Sequence, residues 1–273
     1  MKDKRAVLVV SFGTTYENAR RSCIEGIEKE IGKTFADQGI KVYRAFTSNM
    51  IIRILKEKYQ IETDTVEEAL LRMERDGVKH VIVQPTHIID GIENTRMKEV
   101  VSRCQEHFES ISMGEVLLSK ESDYVWMAEY FSARKQELAK EQTLVLMGHG
   151  SSHKANESYQ KLNHLFEKMQ EDIFVATVEA EPDVEDGIAF AKKSENTKVM
   201  LLPFMIVAGD HAHNDMAGDE EDSWVNRFRV EGFEVSYVME GLGEQKEIRT
   251  RFAKKVEALI SKFEALLTNG KHC

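Results

Sequence analysis

The sequence predicts an α/β protein built from two similar half-domains, each a roughly four-stranded parallel sheet flanked by helices. Three observations predict it. Short, continuous apolar runs alternate with longer amphipathic segments, the pattern of strands buried on both faces and joined by helical crossovers. The alternation ends near the middle of the chain and begins again. The turns that close the strands also repeat in order, which marks an internal duplication.

The first series opens with Ala6–Val10, a strand running into Ser11-Phe12-Gly13-Thr14-Thr15. A helical segment from Tyr16 to Gln38 carries Ile24, Ile27 and Ile31 at helical spacing and stops at Gly39, a glycine suited to a helix end. Lys41–Thr47 is the second strand. Asn49–Tyr59 and Thr65–Asp76 are amphipathic helices, and His80–Gln84 is a third strand entering Pro85-Thr86-His87-Ile88-Ile89-Asp90-Gly91. A helix from Asn94 to Phe108 and a fourth strand at Glu115–Ser119 complete the series. The second series has strands at Thr143–Met147, Phe174–Val178, Val199–Leu202 and Glu234–Met239, with helices at Ala155–Gln170, Val184–Lys193 and Trp224–Glu231. Residues 1–122 form the expected N-terminal half-domain, 123–142 a bridging helix, 143–242 the C-terminal half-domain, and 243–273 a C-terminal helix. A cleft between the halves is the expected place for an active site.

Composition narrows the function. The 273 residues are 42% hydrophobic and 31% charged, globular values, with a net charge of −10. No basic patch offsets that charge, so neither nucleic acid nor an anionic membrane is an expected partner. The N-terminus lacks the apolar core of an export signal, and no run is long enough to span a bilayer. Cys23, Cys104 and Cys273 form no metal-spaced or redox pair. A cytoplasmic protein with inert thiols is expected, and a homo-oligomer is compatible with the sequence.

The duplication shows where the halves differ. Ser11-Phe12-Gly13 falls on Gly148-His149-Gly150, and Pro85…Gly91 falls on Pro203…Gly209. Phe12 stands opposite His149, Phe46 opposite Glu179, and Glu93 opposite His211. The C-terminal half therefore collects His149, Glu179 and His211 at three neighbouring strand ends, where open α/β sheets place their ligands. Two imidazoles and a carboxylate suit a borderline divalent ion. Glu181 rivals Glu179, and His153 and His213 sit in the same loops. Asp210, Asn214 and Asp215 are candidates for orienting the imidazoles. The acidic run Asp219–Asp222 reads as a solvated turn, and His80, His107, His164 and His272 have no constellation around them.

GHGSSH, VEAEPDVE, LPFMIVAGDHAHNDMAGDEEDSW and GLGE, with VVSFGTT and QPTHIIDGIENTRM in the first half, resemble the anaerobic sirohydrochlorin cobaltochelatase family, CbiK. The resemblance covers nearly the whole chain. It implies a class II chelatase fold and ATP-independent insertion of Co²⁺ into sirohydrochlorin, a step of cobalamin biosynthesis. Sirohydrochlorin and Co²⁺ are the implied substrates, with no nucleotide or organic cofactor. His149, Glu179 and His211 are the implied metal-binding residues, and His149, His211 and Glu93 the implied catalytic ones. The family's EYE is Glu93-Asn94-Thr95 here.

Metallation must remove two pyrrole protons, which His149 or Glu93 would accept. Ser11, Phe12, Gly13, Thr14, His87, Met205, Ile206 and Val207 are the expected substrate-binding residues, the apolar ones packing on the macrocycle. Arg20, Arg53 and Arg96 could pair with its carboxylates. A ferro- or nickel chelatase acting on a related tetrapyrrole, or a non-enzymatic metal- or haem-binding protein, would use the same ligands. A hydrolase built on Ser151 or Ser152 lacks an acid partner and an oxyanion site.

Overall fold

In the computed structural model, residues 4–269 are described; His272, Cys273 and the end of the expected C-terminal helix lie outside them. Eight strands form two four-stranded sheets. β1 (Arg5–Ser11), β2 (Lys41–Phe46), β3 (His80–Pro85) and β4 (Ser110–Met113) make the first, in the order β2-β1-β3-β4. β5 (Thr143–Gly148), β6 (Ile173–Thr177), β7 (Lys198–Pro203) and β8 (Glu234–Tyr237) make the second, in the order β6-β5-β7-β8. Every strand pair is parallel. The central strands read as unbroken apolar runs because helices cover both of their faces; β5 is buried along its whole length.

The two sheets share register as well as order. Val10 pairs with Pro85 as Met147 pairs with Pro203, and Ser11 pairs with Phe46 as Gly148 pairs with Thr177. One expectation is corrected by this. Past the second strand, Ser48 N–H donates to Phe12 O just as Glu179 N–H donates to His149 O. The counterpart of Glu179 is therefore Ser48, not Phe46, which stands opposite the buried Thr177.

By contacts the chain divides into two units, one running to Leu117 and resuming at Gly243, the other spanning Leu118–Leu242. In the first, Ala6, Leu8 and Val10 of β1 join a core with Val66, Ala69, Leu70 and Met73 of the helix Val66–Arg75 and Met97 and Val101 of Ile92–Arg103. Lys246–Asn269 packs on Glu25–Thr34, burying Ile248, Phe252, Val256 and Ile260 with Ile27 and Ile31. In the second, Val145 and Met147 join Val184, Ile188 and Ala191 of the helix Val184–Lys193 and Trp224, Val225 and Phe228 of Trp224–Val230. The helix Glu121–Leu138 lies in this unit, its Phe131 ring edge-on to Phe204 with centroids 5.5 Å apart.

The fourth strand is not at Glu115–Ser119. It is the half-buried edge segment Ser110–Met113. The ladder ends at Gly114, whose N–H still donates to Val83 O at 2.7 Å. A Cβ at Gly114 would lie 2.3 Å from the Gln84 carboxamide oxygen, so the close approach requires glycine. Val116, Leu117 and Leu118 are buried in irregular chain, and burial rather than pairing explains their apolar character.

Candidate metal centre

Three adjacent strands of the second sheet, β6, β5 and β7, end in the loops that carry Glu179, His149 and His211. One donor atom from each lies within 4.8 Å of the other two. The imidazoles stand edge to face with centroids 4.7 Å apart. Around an ion bound at about 2.1 Å, donor atoms sit roughly 3–4 Å from one another, so small side-chain adjustments close the set on a cation. Glu181 is exposed and outside this cluster. His153 Nδ1 accepts from Ala155 N–H at 3.2 Å, which commits that atom to the turn. His213 is exposed and likewise outside the cluster.

The turn after β5 is shaped by glycine. Gly150 has φ +88°, and a Cβ there would lie 2.8 Å from Thr177 Oγ1 and 2.9 Å from Ala180 N. Its carbonyl is 3.0 Å from His149 Nδ1. A carbonyl only accepts, so the proton sits on Nδ1 and the lone pair on Nε2. Glu179 Oε2 lies 3.5 Å from the same Nδ1. Beneath the turn, the Tyr159 hydroxyl accepts from Gly150 N–H; burial pushes its pKa up to about 12, so it stays a neutral phenol.

His211 opens a π-helical turn, Ala212–Met216, with Ala212 and Met216 fully buried. Its Nδ1 lies 2.7 Å from Asp215 Oδ2. The neighbouring Asp210 instead accepts from Asn214 Nδ2 at 3.0 Å. The three clustered side chains are 42% (His149), 53% (Glu179) and 28% (His211) exposed. A structural metal is closed off by four ligands; three partly exposed donor groups could take an ion that must arrive and leave.

Residues 5–261 match the family described as cobalt chelatase, CbiK. The chain belongs to the cobalt chelatase family. It is similar over 94% of its length, at 37% identity, to a sirohydrochlorin cobaltochelatase of Salmonella typhimurium, of which 97% is covered. A sirohydrochlorin cobaltochelatase CbiKC of Nitratidesulfovibrio vulgaris is 28% identical over 88% of this chain and 85% of that one. Among solved structures, SirB from Bacillus subtilis with Fe³⁺ shares the fold, with a TM-score of 0.64 at 17% identity, covering 96% of this chain and 98% of that one.

In the first unit the expected substrate-binding residues divide. Phe12 is exposed, whereas Ser11 and Thr14 are buried. Ser11 Oγ accepts from Thr86 Oγ1 at 2.9 Å, and Thr14 Oγ1 accepts from Tyr16 N–H at 3.2 Å. Gly13 is buried as well. Glu93 is paired with Arg96 at 3.1 Å. Arg20 is buried, and Arg53 is exposed. His87 is part-exposed through its carbons, but both ring nitrogens are buried and lack hydrogen-bond partners among the described residues. Burial pushes its pKa down to about 4, against the upward pull of Asn94 and Asp90.

Met50 and Ile92, each at the start of a helix that follows a strand of this sheet, are exposed like Phe12. The sequence pattern did not single them out, because on a helical period they pass as ordinary members of amphipathic segments. In the second unit, Met205, Ile206 and Val207 are half-buried in the loop after β7. Among the described residues no helix is long and apolar enough to cross a membrane.

Proposed function

We propose that this chain inserts Co²⁺ into sirohydrochlorin, a step of cobalamin biosynthesis, with both ion and macrocycle as substrates. The observation that carries it is the His149–Glu179–His211 cluster in a cobalt chelatase family chain. The ion is received on the two imidazoles and the carboxylate, which replace part of its water shell without enclosing it. Three ligands hold Co²⁺ more weakly than the four nitrogens of the macrocycle, so transfer runs downhill once the ring is reached.

Insertion exchanges two pyrrole N–H protons for one dication, and the protons need acceptors. A neutral imidazole accepts a proton through its free ring nitrogen once it has released the metal. His149 is assigned that role as well as ligation, in sequence and not at once, with Glu93 the other acceptor. Met205, Ile206 and Val207, half-buried in the loop after β7, offer apolar contact to the ring. No nucleotide enters the reaction.

The test is the change in the macrocycle absorption spectrum when sirohydrochlorin and Co²⁺ are mixed with the protein anaerobically and without ATP, with Fe²⁺ and Ni²⁺ run in parallel. Wild type is expected to metallate with Co²⁺. His149→Ala should lose insertion by several orders of magnitude while keeping the circular dichroism of the folded protein. Normal insertion by His149→Ala sinks the assignment.

A further inference from the structure

We propose that Asp215 is a positioning residue for metal capture: its carboxylate locks the His211 ring so that Nε2 is the atom presented to the ion. The inference rests on the proposed role of His211 as a ligand. Asp215 Oδ2 lies 2.7 Å from His211 Nδ1, within reach of a charge-assisted hydrogen bond. An ionised carboxylate only accepts, so it holds the proton on Nδ1 and leaves the lone pair on Nε2. The carboxylate also makes the imidazole a stronger donor to a cation, as carboxylates behind metal-bound histidines do.

The local fold explains why this residue does the work. Within the π turn the chain places residues four apart side by side, and Ala212 and Met216 anchor the turn in the core. Gly218 closes it, with its N–H donating to Asn214 O at 3.1 Å. A Cβ at Gly218 would sit 2.3 Å from that oxygen. Asp210 is committed to Asn214, so the carboxylate that meets the ring comes from Asp215. At the corresponding places, counted from the matched prolines Pro85 and Pro203, the first unit has Glu93 and a buried Met97. The imidazole–carboxylate pair is thus found in the unit that holds the ligands.

The experiment titrates Co²⁺ into wild type, Asp215→Ala, Asp215→Asn and His211→Ala, following the visible absorption of bound Co²⁺, and then measures steady-state insertion. Asp215→Ala should weaken Co²⁺ binding about 10–100-fold, the usual cost of losing such a partner. KM for Co²⁺ should rise in the same proportion, while KM for sirohydrochlorin and kcat at saturating Co²⁺ stay within about twofold of wild type. A merely structural role would not split the parameters this way. Asp215→Asn is nearly isosteric and preserves the fold, but its amide NH₂ can turn to the ring and drive the proton to Nε2. Its Co²⁺ affinity should fall at least as far. Wild-type Co²⁺ affinity in both Asp215 variants overturns the proposal. His211→Ala separates the two levels: if it binds Co²⁺ like wild type, the ligand assignment itself fails. If it loses Co²⁺ while the Asp215 variants do not, only the positioning role fails.

Discussion

His87 shows what one buried imidazole does to the whole protein. Its ring nitrogens are out of water, and burial outweighs the pull of Asn94 and Asp90 toward the charged ring. The pKa is pushed from 6.5 to about 4. A depressed folded-state pKa means the unfolded chain takes up the proton first. The stabilisation from keeping His87 neutral is therefore complete above pH 6.5 and drains away as pH falls toward 4. Over that window the loss amounts to about 3 kcal/mol at most. His87→Met, which installs the residue type of Met205 at the matched place in the second unit, should flatten this dependence. Thermal unfolding of both proteins between pH 7 and pH 4 measures it, and equal slopes would rule out His87 as the source.

At the level of elements, the turn after β5 ties the backbone to the chemistry. Gly150 presents its carbonyl to His149 and its N–H to Tyr159 from a conformation with positive φ. Gly150→Ala strains φ and drives a Cβ into Thr177 and Ala180, at a cost of about 1–3 kcal/mol. It should lower both Tm and Co²⁺ affinity, because relief of the clash moves the carbonyl that orients His149; a variant with wild-type Co²⁺ affinity would uncouple turn from site. The strands and most helices were legible in the sequence because burial on two faces leaves unbroken apolar runs. β4 was misread for the same reason: its half-buried Ser110–Met113 looks polar, while Val116–Leu118 is apolar without pairing. The clustering of His149, Glu179 and His211 was legible because the halves differ at matched strand ends, although Glu179 aligns with Ser48. Asp215 stood only as one of three candidates. Sequence spacing does not reveal a π turn, and that turn decides which acid reaches the ring.

At the level of the molecule, the clustered metal-site candidates all belong to one unit. His149, Glu179, His211 and Asp215 all fall within the continuous stretch Leu118–Leu242. The first unit is discontinuous and is completed by the helix Lys246–Asn269, whose Phe252 is fully buried. Truncating Phe252 to Ala removes a large core side chain, which costs about 3–5 kcal/mol of stability. Because Phe252 belongs to the core of the first unit, the loss should appear in urea unfolding, with Co²⁺ affinity under native conditions within about twofold of wild type. Phe228→Ala makes the matching truncation in the core that also holds Ala212 and Met216, beneath His211. It should weaken Co²⁺ binding as well as stability. Added Co²⁺ sharpens the contrast, since an ion at a hundredfold excess over its Kd stabilises the state that binds it by about 2.7 kcal/mol. That increment should survive intact in Phe252→Ala and shrink in Phe228→Ala; equal increments in the two variants would mean that the core beneath His211 does not set the site's affinity.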